Sequence, residues 1–333
     1  MQRDDSCLAS IARLLHLCRL GLDGHVPDHS TFSKNRHGRF RDSDLLRELF
    51  ETTVRRCIEE GLVGGEGFAV DASLIKADAS RQKGGDAADW TMPEMPRRAV
   101  EEHLAVLDDA AFGAATPVVP KFISPADPAS RWTGADGGLA YFAHDTNYIV
   151  DLDYAIIVDV EPATAIRQAE MTATQRMIER TKARFGLYPA RLAADTGYGS
   201  ASMLGWLVYE QGIEPHVSVF DKSARQDDIF ARDAFTFDCE GDVYFCPARK
   251  MLTTKGTLVN DGATLLYRAS KFDCDACTLK PRCTPREPAR KVPRSIFEGA
   301  RDMARGIMTS PEGRASKRQR KKVEMLLRIS SAF

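Results

Sequence analysis

An α/β fold, with a mixed sheet flanked by helices, is predicted by two short apolar runs that each lead into an aspartate and by helical segments spaced between the strands. The first run is Gly67, Phe68, Ala69, Val70, Asp71, and the second is Arg191, Leu192, Ala193, Ala194, Asp195. Runs of this length, bounded by turn residues, read as buried strands. A lone carboxylate at a buried strand end is costly unless something cationic compensates it. Two such ends in one chain suggest two halves of one metal site.

The composition frames the reading. A chain of 333 residues allows one large domain with insertions, or two to three small ones. With 43% hydrophobic and 28% charged residues, the chain has the balance of an ordinary soluble globular protein. A formal charge of −1 excludes a uniformly basic nucleic-acid coat, yet residues 314–322 hold six basic side chains and no acid. No apolar run approaches the ~20 residues of a membrane span, and Met1 to Asp5 is too polar for a signal peptide. A cytoplasmic protein is therefore expected, with no membrane partner. Its eight cysteines would be mostly reduced there, which favours metal binding over disulfides.

Taken in order, Leu8, Ile11, Leu14, Leu15 and Cys18 recur at helical spacing. Lys34, Arg36 and His37 fall on a short segment after candidate caps at Asp28 and Ser30. Ser43 caps an expected helix at about 44–60, with Leu46, Leu49, Phe50, Cys57 and Ile58 facing inward and Gly61 as the stop. These helices suit either a DNA-phosphate grip or a plain helical cap. The Asp71 strand is expected at about 66–72. Residues 77–137 read as a largely looped insertion with one short helix near 97–110. Residues 139–150 and 154–160 read as an antiparallel hairpin, and Ile166, Ala169, Ala173, Met177, Thr181 and Phe185 mark a helix closed by Gly186. The Asp195 strand turns at Gly197 and Gly199 into a helix at about 200–211, and a strand follows at about 213–219. A second insertion at about 221–295 contains a small hairpin (Phe235, Phe237, Val243, Tyr244, Phe245) and a cysteine cluster. Ser310 and Pro311 open a last helix at about 311–329.

Without the insertions the order is strand, strand, strand, helix, strand, helix, strand, helix. The first three strands suit antiparallel pairing, and the Asp195 strand returns across a helix and so runs parallel to its neighbour. This is the order of the ribonuclease-H-like fold. The expected domains are an N-terminal helical region at 1–63, a catalytic domain at 64–220 and 296–333, and the insertion at 221–295. In that layout Asp71 and Asp195 lie on adjacent strands, and the last helix offers Glu324. Arg320, four residues earlier, projects from the same helix face. Val323, Leu326 and Leu327 form the stripe that docks the helix on the sheet.

Four stretches resemble the DDE-type transposases of bacterial insertion sequences: PDHSTFSKNR at 27–36, VDASLIKADAS at 70–80, AADTGYGS at 193–200 and RQRKKVEML at 318–326. The resemblance implies that Asp71, Asp195 and Glu324 are the catalytic and metal-holding carboxylates. It also implies a two-ion site for Mg²⁺ or Mn²⁺, with DNA cleavage and strand transfer by a homodimer on element ends and target DNA. Arg320 matches the arginine of a tyrosine–arginine–glutamate–lysine signature, but Lys317 stands at the tyrosine and Ser331 at the lysine. Those departures, the end at Phe333 and an N-terminus unlike the family before about Cys18 suggest a copy truncated at both ends, with loss of activity as one expectation.

Oxygen ligands suit Mg²⁺ and Mn²⁺, and two such ions can assist an in-line phosphodiester displacement. The competing reading of Asp71 and Asp195 is that each simply caps the turn after its strand. For Glu324, the nearby Glu298 and Glu312 are rival candidates. Lys317, Arg318, Arg320, Lys321 and Lys322, with Lys34 and Arg36, are candidate DNA-phosphate contacts; an ordinary solvated helix face is the alternative. Arg320 can instead pair with Glu324. Cys246, Cys274, Cys277 and Cys283 have a spacing that suits a four-thiolate zinc site, with Cys239 as a substitute for Cys246. Free thiols and an iron–sulfur cluster stay open as alternatives. His144 and Asp145 suggest a base pair for a nucleophile, but no serine elbow accompanies them, so a satisfied histidine is expected.

Overall fold

The structure is a computed structural model that describes residues 43–79, 84–86, 120–134, 139–220, 229–260 and 262–330, with isolated positions at 30–31, 34–35, 38 and 89. The chain divides into two compact units, Met1–Cys57 and Ile58–Phe333. In the first unit the described part is most of helix α1 (Leu45–Glu59). The expected inward face is not the buried one: Leu46 and Leu49 are exposed, whereas Glu51 and Val54 are buried. Glu51 tolerates burial because Arg47 and Arg55, one turn to either side, both reach its carboxylate. Gly61, at φ 69°, lies just past the helix end, as read from the sequence. The segment around Cys18, the helix near 97–110 and Arg36 lie outside the described residues.

The second unit holds two six-stranded sheets. The first contains β1 (Gly67–Lys76), β4 (Arg131–Thr133), β5 (Tyr141–Asp151), β6 (Ile157–Thr164), β7 (Arg191–Ala194) and β8 (Glu214–Val217), with β2 (Gly85–Asp86) and β3 (Phe122–Ile123) as a separate ribbon. Its order is β4-β5-β1-β7-β8, and β6 joins β5 on the β4 side. β1, β5 and β6 pair antiparallel in succession. β7 lies parallel to β1, and β8 parallel to β7. A helix separates each parallel step, as a crossover requires: α2 (Arg167–Phe185) precedes β7, and α3 (Ala201–Gly205), with a π turn at Trp206–Glu210, precedes β8.

The pattern read for α2 is the buried one. Ala169, Ala173, Met177 and Thr181 are all inaccessible. Gly186 ends the helix at φ 67°, returning its N–H to the Lys182 carbonyl; this left-handed cap is one glycine adopts without a Cβ penalty.

Strand β1 runs further than the sequence predicts. It was expected to stop near Asp71 but continues to Lys76, because β5 pairs with it from Phe68 to Lys76 while β7 pairs only from Gly67 to Ala69. Asp71 therefore sits where the strand loses its parallel neighbour, not at its end.

The second sheet comprises β9 (Thr236–Asp238), β10 (Val243–Phe245), β11 (Met251–Thr253), β12 (Leu258–Val259), β13 (Thr264–Ala269) and β14 (Lys291–Ser295), with short helices α4 (Lys271–Asp275) and α5 (Lys280–Cys283) between β13 and β14. A small hairpin was expected here, and β9–β10 is that hairpin within a larger sheet. Its core is Phe235, Tyr244, Leu252, Tyr267, Cys283 and Val292. Helix α6 (Glu298–Thr309) went unread in the sequence, and α7 (Pro311–Ser330) follows it, its start capped by the Ser310 hydroxyl on the Gly313 N–H. No helix of the described residues is long and apolar enough to cross a membrane.

Candidate active site

The carboxylates are placed by packing one or two residues away from each of them. Ala69, Ala193 and Val323 belong to one buried cluster with Val150 and Leu152. Alternate strand residues share a face, so Asp71 projects from the same side as Ala69, and Asp195, in extended backbone, follows Ala193. Val323 on α7 covers that side, and Glu324 is its chain neighbour. Leu326 and Leu327 are outside the residues whose side chains are described.

The environments differ. Asp71 is half-buried, accepts a hydrogen bond from the Ala72 N–H at 3.0 Å, and has its carboxyl pushed up to about 6. Burial is the main cause; the Ala72 N–H and the Arg320 guanidinium oppose it, and the charges of Glu324 and Asp195 add to it. Arg320, Glu324 and Asp195 thus each act on Asp71. Asp195 is exposed, not buried as a strand-end run suggests, and its Oδ1 accepts the Gly197 N–H at 2.7 Å. That is the turn-capping arrangement weighed against catalysis, and it also holds the carboxylate in place. Arg320 meets the Glu324 carboxylate at 2.6 Å. Of its rivals, Glu298 is fully buried and taken up by Arg232, Arg301 and Arg305.

The turn after Asp195 depends on glycine. A Cβ on Gly199 would collide with the Ser218 carbonyl oxygen, because the chain after β8 crosses directly over it and the Phe220 N–H bonds to the Gly199 carbonyl at 2.9 Å. Tyr198 is buried beside this turn, and its hydroxyl is pushed well up by burial, then by the charges of Glu170, Asp71 and Asp195. Glu170 and Asp145 form a second carboxylate pair that the sequence did not reveal. Burial, then the charge and hydrogen bond of Glu170, hold the Asp145 proton well above the carboxylate range. His144 is engaged elsewhere, with Asp127 at 2.8 Å, and that bond lowers the Asp127 carboxyl. The His144–Asp145 pair is therefore not a nucleophile's base.

Along α7, Lys317, Arg318, Lys321 and Lys322 are all exposed, and steps of three and four residues place them in one stripe with Arg314. Lys34 is exposed as well. Three arginines of the described residues, Arg232, Arg294 and Arg305, line a cavity of about 280 Å³ between the second sheet and α6, each paired with Glu298 or Asp302. Cys246, Cys274, Cys277 and Cys283 line one small cavity, while Cys239 is exposed on the β9–β10 turn. Burial pushes the Cys283 thiol up, and Cys274, Cys246 and Cys277 act in the same sense. Among the described residues, no three His, Cys, Asp or Glu side chains stand together at metal-ligand spacing.

No solved structure matches this chain. The family model described as "Transposase DDE domain" matches residues 245–328, a stretch that begins one residue before Cys246 and ends four residues past Glu324. Glu324 and the basic stripe of α7 both lie inside that stretch, about a quarter of the chain, which is similar to a transposase DDE domain; Asp71 and Asp195 lie outside it.

Proposed function

We propose that the chain is a DDE transposase built on a ribonuclease-H-like core, in which Asp71, Asp195 and Glu324 hold divalent cations for DNA cleavage and strand transfer. The observation that carries this reading is the parallel β1–β7 pair with Val323 packed on Ala69 and Ala193, which gathers Asp195 and Glu324 close enough to act on Asp71. The strand order, three antiparallel strands followed by two parallel ones, supports the fold assignment.

The donor set fits Mg²⁺ or Mn²⁺ chemically. It is all oxygen, and Asp71 carries a proton affinity above its ordinary range because burial and two like charges outweigh the one nearby arginine. Three carboxylates with one guanidinium leave a surplus of negative charge that favours a hard cation. Bound divalent ions would activate the attacking oxygen and stabilise the leaving one. The chain's own groups do the rest. The Gly197 N–H orients Asp195. Arg320 restrains Glu324 and offsets part of the charge on Asp71. The exposed Lys317, Arg318, Lys321 and Lys322, with Lys34 and Arg36, supply phosphate contacts along duplex DNA. Element ends come in pairs, so a homodimer on DNA is the working assembly.

The test is divalent-metal-dependent nicking of duplexes that carry the flanking inverted repeats. Wild-type protein should nick at the repeat ends, and Asp71→Asn should bind the same duplex without cutting it. The turn-capping role of Asp195 and the Arg320–Glu324 pair favour one second reading, a non-catalytic DNA-binding remnant. Salt-sensitive binding with no cleavage in either Mg²⁺ or Mn²⁺ would establish that instead. Cutting without preference for repeat ends would indicate a general nuclease.

A further inference from the structure

We infer that Cys246, Cys274, Cys277 and Cys283 form a four-thiolate zinc site that staples the second sheet together. The inference stands apart from the carboxylate site and does not depend on DNA chemistry.

Three features carry it. The first is convergence. Cys246 leaves β10, Cys274 and Cys277 flank the end of α4, and Cys283 ends α5, yet all four line one cavity. Two tight turns present them. The Arg249 N–H bonds to the Cys246 carbonyl at 2.7 Å, and the Cys277 N–H to the Cys274 carbonyl at 3.2 Å. The Lys250 N–H points at the Cys246 sulfur at 3.3 Å, a backbone donor of the kind that orients and stabilises a metal-bound thiolate.

The second feature is size. The cavity holds about 20 Å³, little more than the ~10–15 Å³ that one water-sized sphere occupies. A space of that size suits a single ion. The four sulfurs do not stand at ligand spacing; binding Zn²⁺ requires them to close from the cavity walls to bonds of about 2.3 Å. Lys250, Lys280 and Arg290 line the same cavity. Lys250 and Lys280 pair with Asp273 and Asp275, and Arg290 donates to the Cys283 carbonyl at 2.9 Å, which leaves its guanidinium beside the thiolates.

The third feature is need. The strands of this sheet are two to six residues long, and the buried core is six side chains, one of them Cys283. A core of that size supplies little stability by itself, and small units commonly add a metal or disulfides. All four cysteines are free, so no disulfide performs that task.

The test uses the full chain purified without added chelator. Elemental analysis should find about one zinc per chain. Exchange to Co²⁺ should give sulfur-to-cobalt charge-transfer bands and the intense ligand-field bands of a tetrahedral thiolate site. Chelation should lower Tm. The Cys274→Ser/Cys277→Ser double variant should lose most of the metal, whereas Cys239→Ser should keep it. Should the double variant fail to fold, the wild-type Co²⁺ spectrum and the Cys239→Ser control still decide. A wild-type chain with no zinc and no thiolate–cobalt bands would overturn the site. So would iron with visible absorption, a native disulfide among the four, or loss of zinc in Cys239→Ser.

Discussion

Asp71 and Asp195 occupy similar positions in the sequence and different ones in the molecule. Asp71 is half-buried against α7 and holds its proton up to about pH 6, while Asp195 is exposed and engaged with the Gly197 N–H. Asp71 should therefore bring the larger stability response to metal. We expect about 1 mM Mg²⁺ to raise the Tm of wild type and to leave Asp71→Asn unmoved, by the linkage that stabilises a native state which alone binds the ion. Thermal scans with and without EDTA check this. Asp145 gives a pH prediction away from that site. Its folded-state proton affinity is raised, chiefly by burial and then by Glu170. The native state thus binds the proton more tightly than the unfolded chain. This contribution to stability is fully present below the unfolded value near 4 and is lost as pH rises through neutrality. Asp145→Asn should match wild type near pH 4 and be clearly the more stable of the two at pH 8, since only the wild type must then hold or lose that proton. Urea unfolding at the two values measures the difference, and an equal gain at both would sink the account.

At the scale of elements, the site depends on where chain segments cross. Gly199 lies under the segment that leaves β8, and any side chain there meets the Ser218 carbonyl. Gly199→Ala should destabilise the fold by about 1–3 kcal/mol, the range for forcing atoms into packed structure. The same change should weaken Mg²⁺ binding through the Asp195 turn that Gly199 follows. Calorimetry of the variant tests the first part, and a metal titration the second. Helix α6 shows a different dependence. Glu298 is buried at its start with Arg232 from the second sheet and Arg301 and Arg305 from its own turns. Removing one partner of such a cluster leaves charge buried without compensation. The spacing of Glu298, Arg301 and Arg305 suits pairing along a helix, but the helix itself went unread in the sequence. The involvement of Arg232, from sixty-six residues earlier in the numbering, is not visible there.

At the scale of the molecule, a formal charge of −1 conceals a cationic helix. Lys317 and Lys321 stand one turn apart on the exposed side of α7, next to Arg318 and Lys322. The double variant Lys317→Glu/Lys321→Glu should weaken duplex binding about equally across sequences. It should also flatten the salt dependence of log K by about two, one for each lost phosphate contact. Titrations at several ionic strengths give the slope, and an unchanged slope would place the DNA elsewhere.

Much of the architecture was legible without coordinates, because local physics is written in local spacing. Alternating and continuous apolar runs marked β1, β5, β6 and β7; three- and four-residue steps marked α2; Gly186 and Ser310 marked helix ends. The element order was legible for the same reason. Folding alone decided what depends on partners distant in sequence. β1 reaches Lys76 because β5 lies beside it, and α1 buries Glu51 rather than Leu49 because two arginines neutralise the carboxylate. Asp145 pairs with Glu170 because α2 crosses its strand, and four scattered cysteines share one cavity because a second sheet forms around them. The residue types and their periods belong to the sequence. Which charges face one another is set by crossings that no local pattern encodes, since electrostatics and burial act through space and not along the chain.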